Sequence, residues 1–261
     1  MNRFIKSEMI LIMSKKTPLN KRRIIIFGIT ALIIIAVFFS ACALYLGDYY
    51  RADLARIDAF VGTIDVERTE LGDGRIAFGS GDADVGLIFY PGGKVEAEAY
   101  VPLMACLASK GILTVLVPMP FNLAVLDINA ADGIRELYPE VNAWYIGGHS
   151  LGGSMAASYI SDHSDAFEGM ILLGAYSTAD LSAADLRVIS VYGSEDEVMN
   201  REKYEKYKSN LPADFTETII DGGNHAGFGF YGDQSGDGTA TLEHEEQIRK
   251  AADIIADFVK E

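Results

Sequence analysis

The sequence predicts an α/β protein, a mostly parallel sheet with helices on both faces, preceded by one N-terminal transmembrane helix. Three observations predict it. From about residue 60 onward, apolar runs of strand length alternate with helix-like runs. Residues 24–46 are almost wholly apolar and contain no charged side chain. A tight Gly-X-Ser-X-Gly turn falls between one of the apolar runs and the helix-like run after it. The expected organisation is a basic N-terminus (1–23), a membrane span (24–46), a connector (47–59) and one α/β domain (60–261).

The span comes first. As a helix its 23 residues reach about 34 Å, against roughly 30 Å of bilayer hydrocarbon. Lys21, Arg22 and Arg23 precede it, while Asp48 and Asp53 follow with Arg51 as the one nearby base. That bias holds the N-terminus in the cytoplasm and sends the domain outward, as a single-pass signal-anchor in the cell membrane. Tyr45, Tyr49 and Tyr50 suit the far interface. Two other fates place the domain on the same side: cleavage at Ala41-Cys42-Ala43, giving a secreted protein, and lipidation of Cys42 in the lipobox-like Phe39-Ser40-Ala41-Cys42.

In the remainder, the connector is a short polar-apolar stretch compatible with a helix. Residues 64–70 and 75–78 read as an opening strand pair around Gly72-Asp73-Gly74. Strands are expected at 85–90, 112–117, 143–147, 169–173, 188–192 and 215–220. Helices are expected at 96–110 (stopped by Gly111), 130–137, 154–161 and 242–259.

Charge narrows the partners. The chain carries a formal −15, and beyond residue 47 it holds 15 basic and 36 acidic residues. So acidic a domain repels polyphosphate backbones, so nucleic acid is excluded as a partner. Cys106 is the only cysteine outside the apolar stretch, so no disulfide forms within the domain.

The chemistry lies in Gly148-His149-Ser150-Leu151-Gly152-Gly153. A serine on a tight strand-to-helix turn projects its hydroxyl above the sheet, and only small residues fit two places before and after it. The following helix turns its N-terminus, with its free amides, toward a developing oxyanion. Ser150 is therefore the candidate nucleophile and Leu151 N–H one oxyanion donor. The second donor belongs to the loop after the 85–90 strand, Pro91-Gly92-Gly93-Lys94, with Gly93 N–H preferred and Lys94 N–H the alternative. An acid is expected next in chain order, after the 188–192 strand. Asp196 is chosen there, with Glu195 and Glu197 as fallbacks. The base follows in Asp221-Gly222-Gly223-Asn224-His225. Of the four histidines, His149 is inside the elbow, His163 is far from the reactive edge and His244 lies on the last helix, which leaves His225.

Tyr90-Pro91-Gly92-Gly93, the Gly-His-Ser-Leu-Gly-Gly elbow, Gly-Ser-Glu-Asp and Gly-Gly-Asn-His together resemble the α/β-hydrolase superfamily, in its compact dienelactone-hydrolase-like and esterase-like branch. The resemblance runs from Val85 to the C-terminus. It implies a Ser-Asp-His hydrolase with no metal or organic cofactor, acting on a small-molecule ester or related acyl substrate. Two departures stand out: Pro91-Gly92 replaces the His-Gly opening of many lipases and esterases, and Ser150 replaces the cysteine nucleophile of true dienelactone hydrolases.

Around the site, the loop 118–126 is unusually apolar, and its Phe121 and Leu123 are candidates for a wall of an acyl pocket, with Phe228 opposite. Asp233 to Gly238 matches the first half of a calcium loop, but position twelve is His244 where a bidentate Glu is needed, so an ordinary polar loop is expected. The leading expectation is an extracytoplasmic carboxylic-ester hydrolase. The alternatives are an amide, peptide or thioester hydrolase with the same triad, or a binding protein that kept the fold and lost turnover.

Overall fold

A computed structural model describes residues 21–261. The basic segment expected at 1–23 lies almost wholly outside the described residues. The chain divides into two compact units, one ending at Asp48 and the other comprising Tyr49–Glu261.

The described part of the first unit is helix α1, Lys21–Gly47. Its segment Arg22–Gly47 is 26 residues long with a mean hydropathy of 2.9, long and apolar enough to cross a bilayer. A signal sequence near an N-terminus has the same properties.

The second unit opens with helix α2, Leu54–Val61, capped by the Asp53 carboxylate, which accepts from Arg56 N. Eight strands follow: β1 Arg68–Glu70, β2 Ile76–Phe78, β3 Val85–Tyr90, β4 Ile112–Leu116, β5 Ala143–His149, β6 Gly169–Leu173, β7 Arg187–Gly193 and β8 Phe215–Ile220. They form one sheet in the order β1-β2-β4-β3-β5-β6-β7-β8. The β1–β2 and β2–β4 pairs are antiparallel and the rest parallel. Strands β3 to β7 are buried along nearly their whole length, which is why they read as continuous apolar runs rather than alternating ones.

Successive residues of those strands feed two cores. Leu87, Phe89, Ile171 and Val191 face helices α3 (Val101–Ala108) and α6 (His244–Lys260), through Leu103, Leu107, Ile248 and Ile255. Ile88, Ile146, Met170 and Leu172 face helix α4 (Leu151–Ser161), through Ala156, Ala157 and Ile160. Burying one such side chain is worth roughly 1.5–3 kcal/mol, so the double-sided sheet is the main source of stability. Helix α5, Arg201–Tyr207, caps the edge, with Tyr204 packed edge-on against Tyr192.

Three expectations are corrected and one helix is added. The helix expected at 130–137 is a series of turns ending in a 3₁₀ turn at Arg135–Leu137, because Gly133 takes a left-handed φ of 75°. The helix expected at 96–110 starts late. Residues Ala97–Tyr100 form a 3₁₀ turn, and the α-helix begins at Val101 because Pro102 lacks an N–H and fits only a first turn. Residues 64–67 are not strand, and pairing begins at Arg68. Helix α5 was not expected: it is seven mostly polar residues whose start is set by Asn200, which accepts from Lys203 N at 2.8 Å.

Candidate active site

The strand order changes direction at β3, which lies between β4 and β5. Loops leaving the carboxyl ends of strands at such a point diverge and leave a crevice. In the β3–β5 register Tyr90 pairs with Gly148, so the loop that begins at Pro91 runs beside His149, Ser150 and Leu151.

The elbow carries measurable strain. Ser150 has φ 51° and ψ −121°, a conformation costly for a residue with a side chain. It is held by Ser150 N donating to Leu173 O at 2.9 Å and by Ser154 N donating to Ser150 O at 3.1 Å. The flanking glycines are required by space. A Cβ on Gly148 would meet Gly152 C and Tyr90 O at 2.6 Å, and one on Gly152 would meet Pro91 O at 2.2 Å. Helix α4 starts directly at Leu151, three residues earlier than the sequence suggested, so the Leu151 amide belongs to its first turn.

Gly93 lies against Leu151: a Cβ on Gly93 would come within 2.8 Å of Leu151 Cδ2. The two preferred oxyanion donors therefore belong to neighbouring residues. The Lys94 N–H, the alternative, is already donated to Asn122 O at 2.7 Å.

The expected acid and the expected base meet. Asp196 Oδ2 and His225 Nδ1 are 2.8 Å apart, and both side chains are almost fully buried. Asp196 Oδ1 accepts from Val198 N at 3.0 Å and Met199 N at 2.8 Å, so the carboxylate is held from both ends. Glu195 and Glu197 are exposed. Between the elbow strand and the acid strand lies β6, and the residue after it is Gly174, φ 51°. A Cβ there would stand 2.9 Å from His225 Nδ1 and 3.1 Å from Asp196 Oδ2, so only glycine lets the pair sit over β6. Among the described residues His225 Nε2 is buried and makes no hydrogen bond.

Several residues that sequence reasoning passed over build this region. His149 is fully buried, its ring 4.4 Å from that of His225, and its Nδ1 is 2.8 Å from Tyr100 Oη. Burial, and then the neighbouring His225, hold the His149 imidazole well below the ordinary histidine range, so it stays neutral. Tyr100 Oη also accepts from Gly92 N at 3.1 Å, which ties the elbow histidine to the loop carrying Gly93. The His225 loop is held by Asp237 and Gln247. Asp237 Oδ1 accepts from His225 N at 3.2 Å and from Glu197 N at 3.3 Å, and its Oδ2 accepts from Ala226 N at 2.8 Å. Gln247 on α6 is fully buried. It accepts from Asn224 N at 3.0 Å and donates to Asn224 O at 2.7 Å. Nothing local in the sequence marks these as parts of one site. The nearest signal was the polar Asp233–Gly238 stretch, set aside as a loop.

The three residues named for substrate contact fare differently. Phe121 is 63% exposed, Leu123 is half-buried, and Phe228 is fully buried with its ring 5.5 Å from His149, behind the site rather than on its surface. A cavity of about 640 Å³ among Tyr138, Trp144, His163 and Phe167 lies at the other end of β5 from Ser150 and does not serve this site.

A family model described as the alpha/beta hydrolase family matches residues 86–249. The chain belongs to that family. Two solved structures share the hydrolase fold. One is a predicted CIB-like hydrolase from Thermoplasma acidophilum, 16% identical, covering 74% of this chain and 99% of that one with a TM-score of 0.53. The other is a dienelactone hydrolase from Anabaena variabilis, 11% identical, covering 75% and 97% with a TM-score of 0.56. At such identities the likeness speaks for the fold alone. No curated protein matches this hydrolase. The α/β-hydrolase fold anticipated from the sequence motifs agrees with the family match and with these neighbours.

Proposed function

We propose that this hydrolase cleaves carboxylic esters through an acyl-enzyme on Ser150. The observation that carries the reading is the buried 2.8 Å contact of Asp196 with His225 beside a strained serine elbow. Ser150 Oγ attacks the ester carbonyl while His225 Nε2 takes its proton. Asp196 keeps that proton-accepting nitrogen facing the serine and stabilises the imidazolium. Gly93 and Leu151 amides bind the oxyanion, each worth about 3 kcal/mol in the barrier. The alcohol leaves with the proton held by His225. Water then attacks the acyl-enzyme, gives a proton to His225, and the released Ser150 Oγ recovers it. No step calls for a metal or an organic cofactor.

We further read α1 as a retained signal-anchor, with the catalytic unit outside the cytoplasmic membrane, on the strength of its length, its uncharged stretch 24–46 and the Lys21, Arg22 and Arg23 at its N-terminal end. A mature chain beginning near Ala43, or a lipid mass on Cys42, would overturn retention.

The test is hydrolysis of p-nitrophenyl esters from acetate to palmitate by the full chain in detergent, with Ser150→Ala as control. Turnover that vanishes in the variant, together with wild-type labelling by a fluorophosphonate, is expected. Labelling without ester turnover would move the reading to an amide, peptide or thioester. Neither would leave a binding protein of this fold.

A further inference from the structure

The first residues of the catalytic unit are stitched to the loops around Ser150. Tyr50 N donates to Lys94 O at 2.7 Å, Glu96 N donates to Tyr50 O at 3.0 Å, and Tyr50 pairs with Val95 in a parallel bridge. Ala52 N donates to Glu96 Oε2 at 2.8 Å, and Asp53 N donates to Phe230 O at 2.8 Å. Tyr50 Oη accepts from Ser235 N at 3.0 Å. The chain thus enters this unit against the oxyanion loop on one side and the segment after His225 on the other, rather than at a remote edge.

The same Lys94 gives its N–H to Asn122 O at 2.7 Å, which places the loop 119–126 next to that point of attachment. This loop is where apolar surface collects. Six large apolar side chains are exposed in Tyr49–Glu261, and three of them, Phe121 (63%), Val125 (51%) and Leu126 (56%), lie within six residues here. An apolar cluster beside a binding crevice marks an interaction surface. Its occupant is indicated by the chain itself. Only Asp48 and Tyr49 separate Tyr50 from Gly47, the last residue of α1. Three residues of chain reach at most about 11 Å. Whatever direction the helix takes, a bilayer that holds it has its surface within that length of chain from Tyr50.

We propose that the 119–126 loop docks on the lipid bilayer and that the ester cleaved is the acyl ester of a lipid lying in it. The inference rests on the serine-esterase reading of Ser150 and on retention of α1. The lipid's acyl group passes to Ser150 Oγ, its alcohol portion departs as the deacylated lipid with the proton from His225, and water releases the free fatty acid. With an acidic catalytic unit, contact is apolar and anchored rather than electrostatic, so zwitterionic lipid suffices.

The test uses the full chain reconstituted in phosphatidylcholine vesicles. In a Cys42→Ser background, where Cys106 is buried, a polarity-sensitive fluorophore is placed on Val125→Cys or, as control, on the exposed Asp165→Cys. Spin-labelled phosphatidylcholine is expected to quench the label at 125 at least threefold more than that at 165. Equal quenching overturns the docking. In a second measurement, the Val125→Ser/Leu126→Ser double variant is expected to keep the wild-type rate on p-nitrophenyl acetate while fatty-acid release from the vesicles falls at least tenfold. An unchanged vesicle rate overturns the proposal. Failure of wild type on the soluble ester would instead sink the esterase reading, and the quenching comparison would still decide the docking.

Discussion

Two loops at the same edge of the sheet are built in opposite ways. The loop that carries His225 is bonded across elements: to Asp237 and Gln247 as above, and to the acid loop through Gly222 N donating to Ser194 Oγ at 2.8 Å and Glu195 N donating to Gly223 O at 2.8 Å. Its residues from Gly222 to Tyr231 are buried. The loop at 119–126 bonds mainly to itself, in short turns such as Asn122 N to Met119 O and Leu126 N to Leu123 O, and ties outward through Asn122 O. The difference follows from what each must do. In the proposed mechanism the His225 imidazole transfers a proton and has to be held within a fraction of an ångström, which the buried polar clamp of its loop would do. A surface that meets substrate or lipid has to stay open.

The contrast can be broken at several points. Replacing His225 with alanine is expected to cost on the order of 10⁴-fold or more in kcat with the fold intact, read by stopped ester turnover and an unchanged circular-dichroism spectrum. Gln247→Leu strands the buried Asn224 N–H and C=O, and chemical denaturation should show a loss of about 2–4 kcal/mol. A loss under 1 kcal/mol would mean that the clamp is not what holds the loop. Asp237→Ala removes the acceptor for the His225 and Ala226 amides. Its kcat is expected to fall about 10- to 100-fold with KM little changed, and Asp237→Asn, which keeps one acceptor oxygen, should recover part of that.

The buried His149 gives a pH signature. Its folded-state pKa lies well below 6.5, its value when unfolded. Below about pH 6.5 the unfolded chain therefore binds a proton that the folded chain refuses. Stability is full above that pH and is lost as pH falls, with a slope approaching about 1.4 kcal/mol per pH unit from this one residue. Thermal melts from pH 7 to pH 5 should show the fall, and His149→Gln should flatten it. The smallest effect belongs to the open loop. Val125→Ser should leave stability within about 0.5 kcal/mol of wild type, because an exposed side chain has little burial to lose. A larger loss would show that the loop is core after all.

Much of this was open to reading in one dimension, and the reason is locality. Periodicity and glycine punctuation report the strands directly: the runs at 85–90, 169–173 and 215–220 match β3, β6 and β8 end to end. The elbow is legible because the steric demand on Gly148 and Gly152 arises within five residues. Asp196 and His225 were reachable because each follows a strand, and strand ends share an edge. What failed was short or set by single residues against the pattern, as with Gly133 inside an otherwise helical run, Pro102 delaying α3, and the polar seven-residue α5.

By itself, then, the chain determined the sheet, the serine turn, the acid and base in order and the apolar helix at the start. Only the tertiary structure decided that Asp196 rather than Glu195 or Glu197 meets His225, and that Gly174 clears the space for that pair. It also decided that Asp237 and Gln247 clamp the base, and that Tyr50 is bound beside the oxyanion loop. Each of these contacts joins residues from about 12 to 51 positions apart, Asp237 to His225 at the near end and Gly174 to His225 at the far end, and such contacts leave no periodic trace in the sequence.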